Sequence, residues 1–418
     1  MSATKLKIFI SAYACEPNLG SEIGVGWHWV LEMSKYFELW VLTRQSNKES
    51  IENWLKVNPT EYTINFVYYD LPKKLRFWKK GLRGVRTYYV LWQKLTNSIV
   101  KKTMEENEIG IYHLLTYGNA LWPLSNYGQK QFFVWGPTSV GDVIPAEYAK
   151  HYNLKGRLIE FLRRLSVKTL PFNKGFNKRC KNANLIFCKT TAALNSIPEQ
   201  YKDKAIAFTD VAVEMIDISM YSTEKNESNK IINYFTVGRL DAWRGFDVLI
   251  EAFALASKKN AYIRLEILGK GLYKDRLKAL IKKLNMGSFI SLSGQVPMED
   301  YYQKMANCDV VINPSLKEGA VTTAFDSMSF GKPLICIDTG GYTRYFNNEY
   351  AVVIPRTSRK EVILKLTDGV LQLTDKGLRI RKGEKAKEIG KQFGWYQKGH
   401  LIFKKIENRY NQFQVSEK

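Results

Sequence analysis

The sequence predicts an α/β chain built from two Rossmann-like, doubly wound units, and three observations carry that reading. Short apolar runs alternate with helical or basic stretches along most of the chain, as expected of parallel strands covered on both faces by crossover helices. The chain has 418 residues and is 45% hydrophobic, longer than the roughly 250 to 300 residues that one core organises. A polar stretch without periodicity, 221–230, falls near the middle and reads as a linker. The expected division is a first unit at 1–210, a linker at 211–230, a second unit at 231–394 and a terminal helix at 395–418.

Taken in order, the run at 7–13 reads as the first parallel strand, followed by a loop carrying Gly20, Gly24 and Gly26 and a helix to about Tyr36. Glycines there permit close backbone approach and positive φ, so the loop can turn N–H groups toward a diphosphate. Runs at 38–43, 64–69, 110–116, 131–135 and 185–189 complete the first sheet. The second unit repeats the alternation with runs at 231–237, 264–268, 289–292, 309–313, 333–337 and 351–354, and 394–412 reads as a closing helix. The five cysteines are odd in number and contain no C-x2-C pair, which is a reduced pattern. The N-terminus enters a strand at once, and no apolar run approaches the ~18 residues of a spanning helix. Neither a signal peptide nor a membrane span is expected.

The net charge of +23 is concentrated. Ten basic residues and no acid lie between Leu71 and Met104; ten more, against Glu160 alone, lie between Lys150 and Lys181. An excess so localised points to an anionic partner. Both stretches are also amphipathic: Trp78, Leu82, Val85, Tyr89 and Trp92 recur at helical spacing, as do Leu158, Phe161, Leu162 and Leu165. Each stretch therefore has two readings, an ordinary helix with its stripe in the core or a helix at an anionic bilayer surface.

Candidate chemistry gathers at strand-to-helix corners of the second unit. Gly238 and Arg239 end a strand, and Arg244 precedes the next helix, so two cations bracket a helix N-terminus suited to a pyrophosphate. Glu318 lies in the turn after the strand at 309–313, and Asp326 follows eight residues on, one helical turn past Thr322. No D-x-D motif occurs, so no divalent ion between nucleotide and carboxylates is expected.

These residues resemble the Glu-x7-Glu signature of the retaining glycosyltransferases of family four, the glycosyl transferases group 1 type, with Asp326 at the second Glu. The stretches from Val237 to Phe253, then Leu268 to Gly271 and Ser293 to Val296, fall in the family's order. The resemblance implies a GT-B fold, two Rossmann-like domains facing a central cleft, and a nucleotide-diphosphate sugar donor with no further cofactor or metal. It places Glu318 against the donor sugar and the N–H groups of Gly319, Ala320 and Val321 near its hydroxyls or phosphate, with Thr322 also at the donor site. Asp326 falls at the ribose, Val296 at the base, and Gly20, Gly238, Arg239, Arg244 and Lys270 around the donor phosphates. His113 falls where the family has a histidine facing the transferred sugar, followed by Tyr117 to Asn119; as a lone histidine in a strand it also reads as a core residue. Thr138-Ser139-Val140 stand where the family has glycines.

The implied activity is retaining transfer to a glycan or lipid-linked acceptor in surface polysaccharide biosynthesis, by a cytoplasmic protein peripheral on the inner face of the cell membrane. Two other readings compete: a further enzyme of the same architecture, such as a nucleotide-sugar epimerase or phosphorylase, and a basic nucleic-acid-binding protein. No zinc spacing, RNP-like or helix-turn-helix signature supports the last, so no nucleic-acid partner is expected.

Overall fold

The computed structural model describes residues 5–79, 81, 84–122, 131–221, 230–317 and 321–416. They form two units: Met1–Gly141, Val167–Asp210 and Trp395–Lys418 in one, Asp142–Ser166 and Val211–Gly394 in the other.

The first unit holds a seven-stranded parallel sheet of β1 (Lys7–Ser11), β2 (Glu38–Thr43), β3 (Ile64–Tyr68), β4 (Ile111–Leu114), β5 (Phe132–Thr138), β6 (Leu185–Cys188) and β7 (Ala205–Ala207). Its order is β3-β2-β1-β4-β5-β6-β7. Neighbours in a strand point to opposite faces, and both Phe9 and Ile10 are fully buried, so helices cover the sheet on two sides. The closing helix Trp395–Ser416 packs against the helix Ser21–Ser34. Gly399 allows the contact, because a Cβ there would come within 3.0 Å of Glu32 Cβ, and Phe403 stacks on Tyr36 at 4.9 Å.

The second unit has six parallel strands, β8 (Ile232–Val237), β9 (Ile263–Leu268), β10 (Ile290–Gly294), β11 (Val310–Asn313), β12 (Leu334–Asp338) and β13 (Ala351–Pro355), ordered β10-β9-β8-β11-β12-β13. Both sheets are thus of the doubly wound, Rossmann-like kind that the alternation predicts.

Two expectations are corrected. Residues 142–166 leave the first unit for the second. Ile144, Tyr148 and Tyr152 are buried in its core with Phe246 and Leu277, Tyr148 donates its hydroxyl to Thr357 O at 2.9 Å, and Arg359 N donates to Glu147 at 2.9 Å. The start of the expected linker is also part of that unit: Val213 N donates to Phe393 O at 2.9 Å, and Ser329 donates to Glu214 O; residues 222–229 lie outside the described ones.

The two basic stretches part company. In the first, the helix Val85–Leu95 turns Tyr89 and Trp92 fully into the core, and Trp92 Nε1 donates to Tyr69 O at 2.9 Å. Its stripe is a core stripe. The second stretch behaves differently and is treated below.

Candidate functional site

In a doubly wound sheet the loops after two adjacent strands diverge to opposite faces at one place, and a crevice opens there at the strands' carboxyl ends. In the second unit that place lies between β8 and β11. The chain leaves β8 at Gly238, makes a short turn at Ala242–Arg244, passes Gly245 and enters the helix Phe246–Lys259. Gly245 has φ +69°, and a Cβ would lie 2.1 Å from Pro314 O, so only glycine lets the loop after β8 settle on the loop after β11. Gly269, after β9, is as constrained: φ is +148° and a Cβ would meet Gly238 O at 1.9 Å. Gly245 and Gly269 are thus needed to bring the ends of β8, β9 and β11 together.

Arg244 spans this switch point. Its guanidinium lies 4.5 Å from the ring centroid of Trp243, and Nη1 donates to Ser315 Oγ at 3.4 Å. A second cation comes from the other loop: Lys317 Nζ lies 5.1 Å from the same ring and 3.9 Å from Glu160. Sequence reasoning missed Lys317; a lysine just before Glu318 in the turn was the available signal. Two helices begin here without a side-chain cap, Phe246–Lys259 behind Gly245 and Thr322–Ser329 behind Val321, leaving backbone donors suited to an anion.

The other expected residues are placed as follows. Arg239 is exposed and folds onto Asp241, with Nε donating to Oδ2 at 3.0 Å, so its charge is engaged by a near neighbour. Lys270 is exposed after β9, and Val296 is half-buried after β10. Val321 and Thr322 are half-buried at the start of their helix. Glu318, Gly319 and Ala320 lie outside the described residues. Asp326 is buried and accepts a 2.6 Å hydrogen bond from the Tyr301 hydroxyl. Burial, with Glu214 adding to it, pushes its carboxyl up to about 7 against the opposing Tyr301 bond. The carboxylate expected at an open ribose site therefore points into protein, which suits the shorter Asp side chain.

The first unit has its switch point between β1 and β4. Gly20 is the N-cap of Ser21–Ser34. A Cβ on Gly24 would meet Leu19 O at 1.9 Å, and one on Gly26 would meet Ala14 O at 2.0 Å, so the loop after β1 lies directly on the helix. Ala14 N donates to Thr116 Oγ1 at 3.0 Å. Tyr117, at φ +61°, donates its N–H to Glu22 at 2.7 Å, and its ring stands among Tyr13, Tyr89 and Trp122. This crevice carries a carboxylate and aromatic rings.

His113 is corrected. It is fully buried in β4, its Nε2 is 2.7 Å from Gly136 O, and Trp29 and Phe187 flank it. Burial lowers its pKa to about 4, so it is neutral. It presents no open face to a sugar and supports the sheet. Among the described residues no three His, Cys, Asp or Glu side chains gather as a metal site.

Two doubly wound parallel sheets on one chain agree with the fold of the structural relatives below, and a family match falls on the second sheet. Residues 217–389 match the Glycosyl transferases group 1 family. Over 257 residues the chain is 25% identical to the GtfA subunit of UDP-N-acetylglucosamine–peptide N-acetylglucosaminyltransferase from Streptococcus parasanguinis, covering 59% of this chain and 47% of that one. Over 160 residues it is 29% identical to the N-acetylgalactosamine-N,N'-diacetylbacillosaminyl-diphospho-undecaprenol 4-alpha-N-acetylgalactosaminyltransferase of Campylobacter jejuni, covering 38% and 42%. The chain spans about half the length of the curated relatives it matches. The crystal structure of Anabaena HepE with UDP and glucose aligns at a TM-score of 0.59 over 96% of this chain and 100% of that one, at 15% identity, a likeness of fold.

Proposed function

We propose that the protein is a retaining glycosyltransferase that moves a sugar from a nucleotide-diphosphate donor to a glycan or lipid-linked acceptor in surface polysaccharide biosynthesis, without a metal ion, from the cytoplasmic face of an anionic membrane. One observation carries the donor chemistry: Arg244 and Lys317, on opposite loops of the β8–β11 switch point, flank Trp243 beside two uncapped helix N-termini. Breaking a bond between sugar and diphosphate builds negative charge on the leaving oxygen. Fixed cations and backbone donors stabilise that charge where it forms. The names of relatives support the donor class and one of the acceptor classes: one acts with UDP-N-acetylglucosamine, on a peptide, and another on a diphospho-undecaprenol glycan.

In this reading Glu318 lies against the donor sugar, and Arg239 exchanges Asp241 for a phosphate oxygen when donor binds. The departing phosphate accepts the acceptor's proton on the same face, giving retention. Asp326 acts through Tyr301, by holding the helix Thr322–Ser329.

The test is a thermal-shift panel of nucleotide sugars followed by transfer assays with and without EDTA. A ligand at 100 times its dissociation constant should add about 2.7 kcal/mol of stability. Transfer that survives EDTA and retains the anomeric configuration is the expected result; loss on chelation with rescue by Mn²⁺ overturns the metal-free chemistry. Conversion of the donor with no acceptor present would identify an epimerase.

A further inference from the structure

The second basic stretch contains a helix, Leu154–Lys168, whose amphipathicity is turned inside out. Its protein-facing side is polar. Glu160 is buried, pairs with Arg163 and lies 3.9 Å from Lys317, while Arg164 Nη2 donates to Ile144 O at 3.2 Å. Its solvent side is apolar: Leu154, Leu158, Phe161, Leu162 and Leu165 recur at helical spacing and are 47% to 81% exposed. Exposed Lys155 borders the stripe on one edge and exposed Arg157 and Lys168 on the other. A surface helix of a soluble protein normally buries such a stripe.

We infer that Leu154–Lys168 is a membrane-docking helix that lays its apolar stripe into the headgroup–acyl boundary of an anionic bilayer. This deepens the membrane-face reading above by naming the element that carries it, and it takes the role away from Val85–Leu95, whose stripe is core. A helix in the interface plane needs an apolar face open to the lipid and cations along its rim, and both are present. A second copy of the chain fits less well, since two such faces would bring rims of like charge together. A nucleic acid gains nothing from five large apolar side chains at the centre of the face. Arg164 ties the helix to the protein through Ile144 O and Arg163 is taken up by Glu160 on the same helix, so neither is a lipid contact.

The experiment is flotation with vesicles of phosphatidylglycerol and phosphatidylcholine, or of phosphatidylcholine alone, at low and high salt, with no donor present. The wild-type protein should float with the anionic vesicles. A Leu158→Ser/Phe161→Ser/Leu165→Ser variant should float at least about tenfold less, with a Tm lowered only slightly because those side chains are about half exposed. Lys155→Glu/Arg157→Glu/Lys168→Glu should lose the preference for anionic lipid. As a second readout, all five native cysteines are buried, so a polarity-sensitive dye on Phe161→Cys should shift to the blue with vesicles. If the serine variant floats like the wild type, or the dye stays in water while the protein floats, the helix is wrong and the membrane reading stands. If the wild type ignores every vesicle, both fall, whatever its transferase activity. A dimer that the serine variant dissociates, with no flotation, would make the occupant a second copy.

Discussion

The two switch points share a construction and differ in chemistry. At β1–β4 and at β8–β11 alike, glycines let one loop rest on backbone where a Cβ would collide, at 2.0 Å for Gly26 and 2.1 Å for Gly245. The first then presents Glu22, held to Tyr117 N, within a group of aromatic rings. The second presents Arg244 and Lys317 on Trp243. A shared frame thus leaves sign and polarity to a few loop side chains, with a diphosphate suited to the second crevice and neutral hydroxyls, which donate to carboxylates and pack on rings, suited to the first.

The sharpest way to break this contrast is charge removal. Arg244→Ala should lower kcat/KM by about 10²- to 10³-fold, the usual effect of deleting one donor to a developing anion, with Arg244→Lys intermediate because the bidentate fork is lost. An Arg244→Ala enzyme within twofold of the wild type would end the assignment of the second crevice. Next in size, Gly269→Ala should cost on the order of 1–3 kcal/mol of stability from backbone strain alone, more if Gly238 cannot withdraw, and calorimetry should show a lower Tm even before activity is considered. On the first crevice, Glu22→Ala should raise the acceptor KM several-fold and leave the donor KM unchanged; a rise in donor KM instead would erase the division of labour.

The pH slopes of stability run in opposite directions. Burial raises the Asp326 carboxyl from 3.8 to about 7, so the folded protein keeps a proton that the unfolded chain releases, and stability falls as pH rises from about 4 to 7. Asp326→Asn should flatten that fall. In the first unit, burial lowers Lys398 from 10.5 to about 7. There the unfolded chain holds the extra proton, so stability rises with pH from 7 to about 10, and Lys398→Met should remove the rise. Thermal melts across pH 4 to 10 read both.

Much of the frame was legible because parallel strands buried on both faces are written as continuous apolar runs. Among the described residues, twelve of the thirteen strands fall within three residues of the expected runs. Strand β7 escaped because three residues, Ala205 to Ala207, carry no period. Residues 142–166 were misassigned because Tyr148 and Tyr152 find their partners more than a hundred positions away, at Thr357 and Tyr273, and no local pattern records that. Of the site, Arg244 was readable from its place before a helix, whereas Lys317 becomes a partner only through Trp243. His113 shows the limit from the other side, since a strand residue's direction depends on what covers the sheet. The helix Leu154–Lys168 shows it again: spacing reveals that a stripe exists, and only packing reveals which way it faces.

Trp243 has one more consequence. Its ring lies under two cations at 4.5 and 5.1 Å, and an indole's excited state responds to charges fixed near its face. A diphosphate drawing Arg244 and Lys317 toward its oxygens would change that field. The tryptophan is then a built-in optical gauge of occupancy: emission should change on adding nucleoside diphosphate, and the change should vanish in Trp243→Phe while the other nine tryptophans remain.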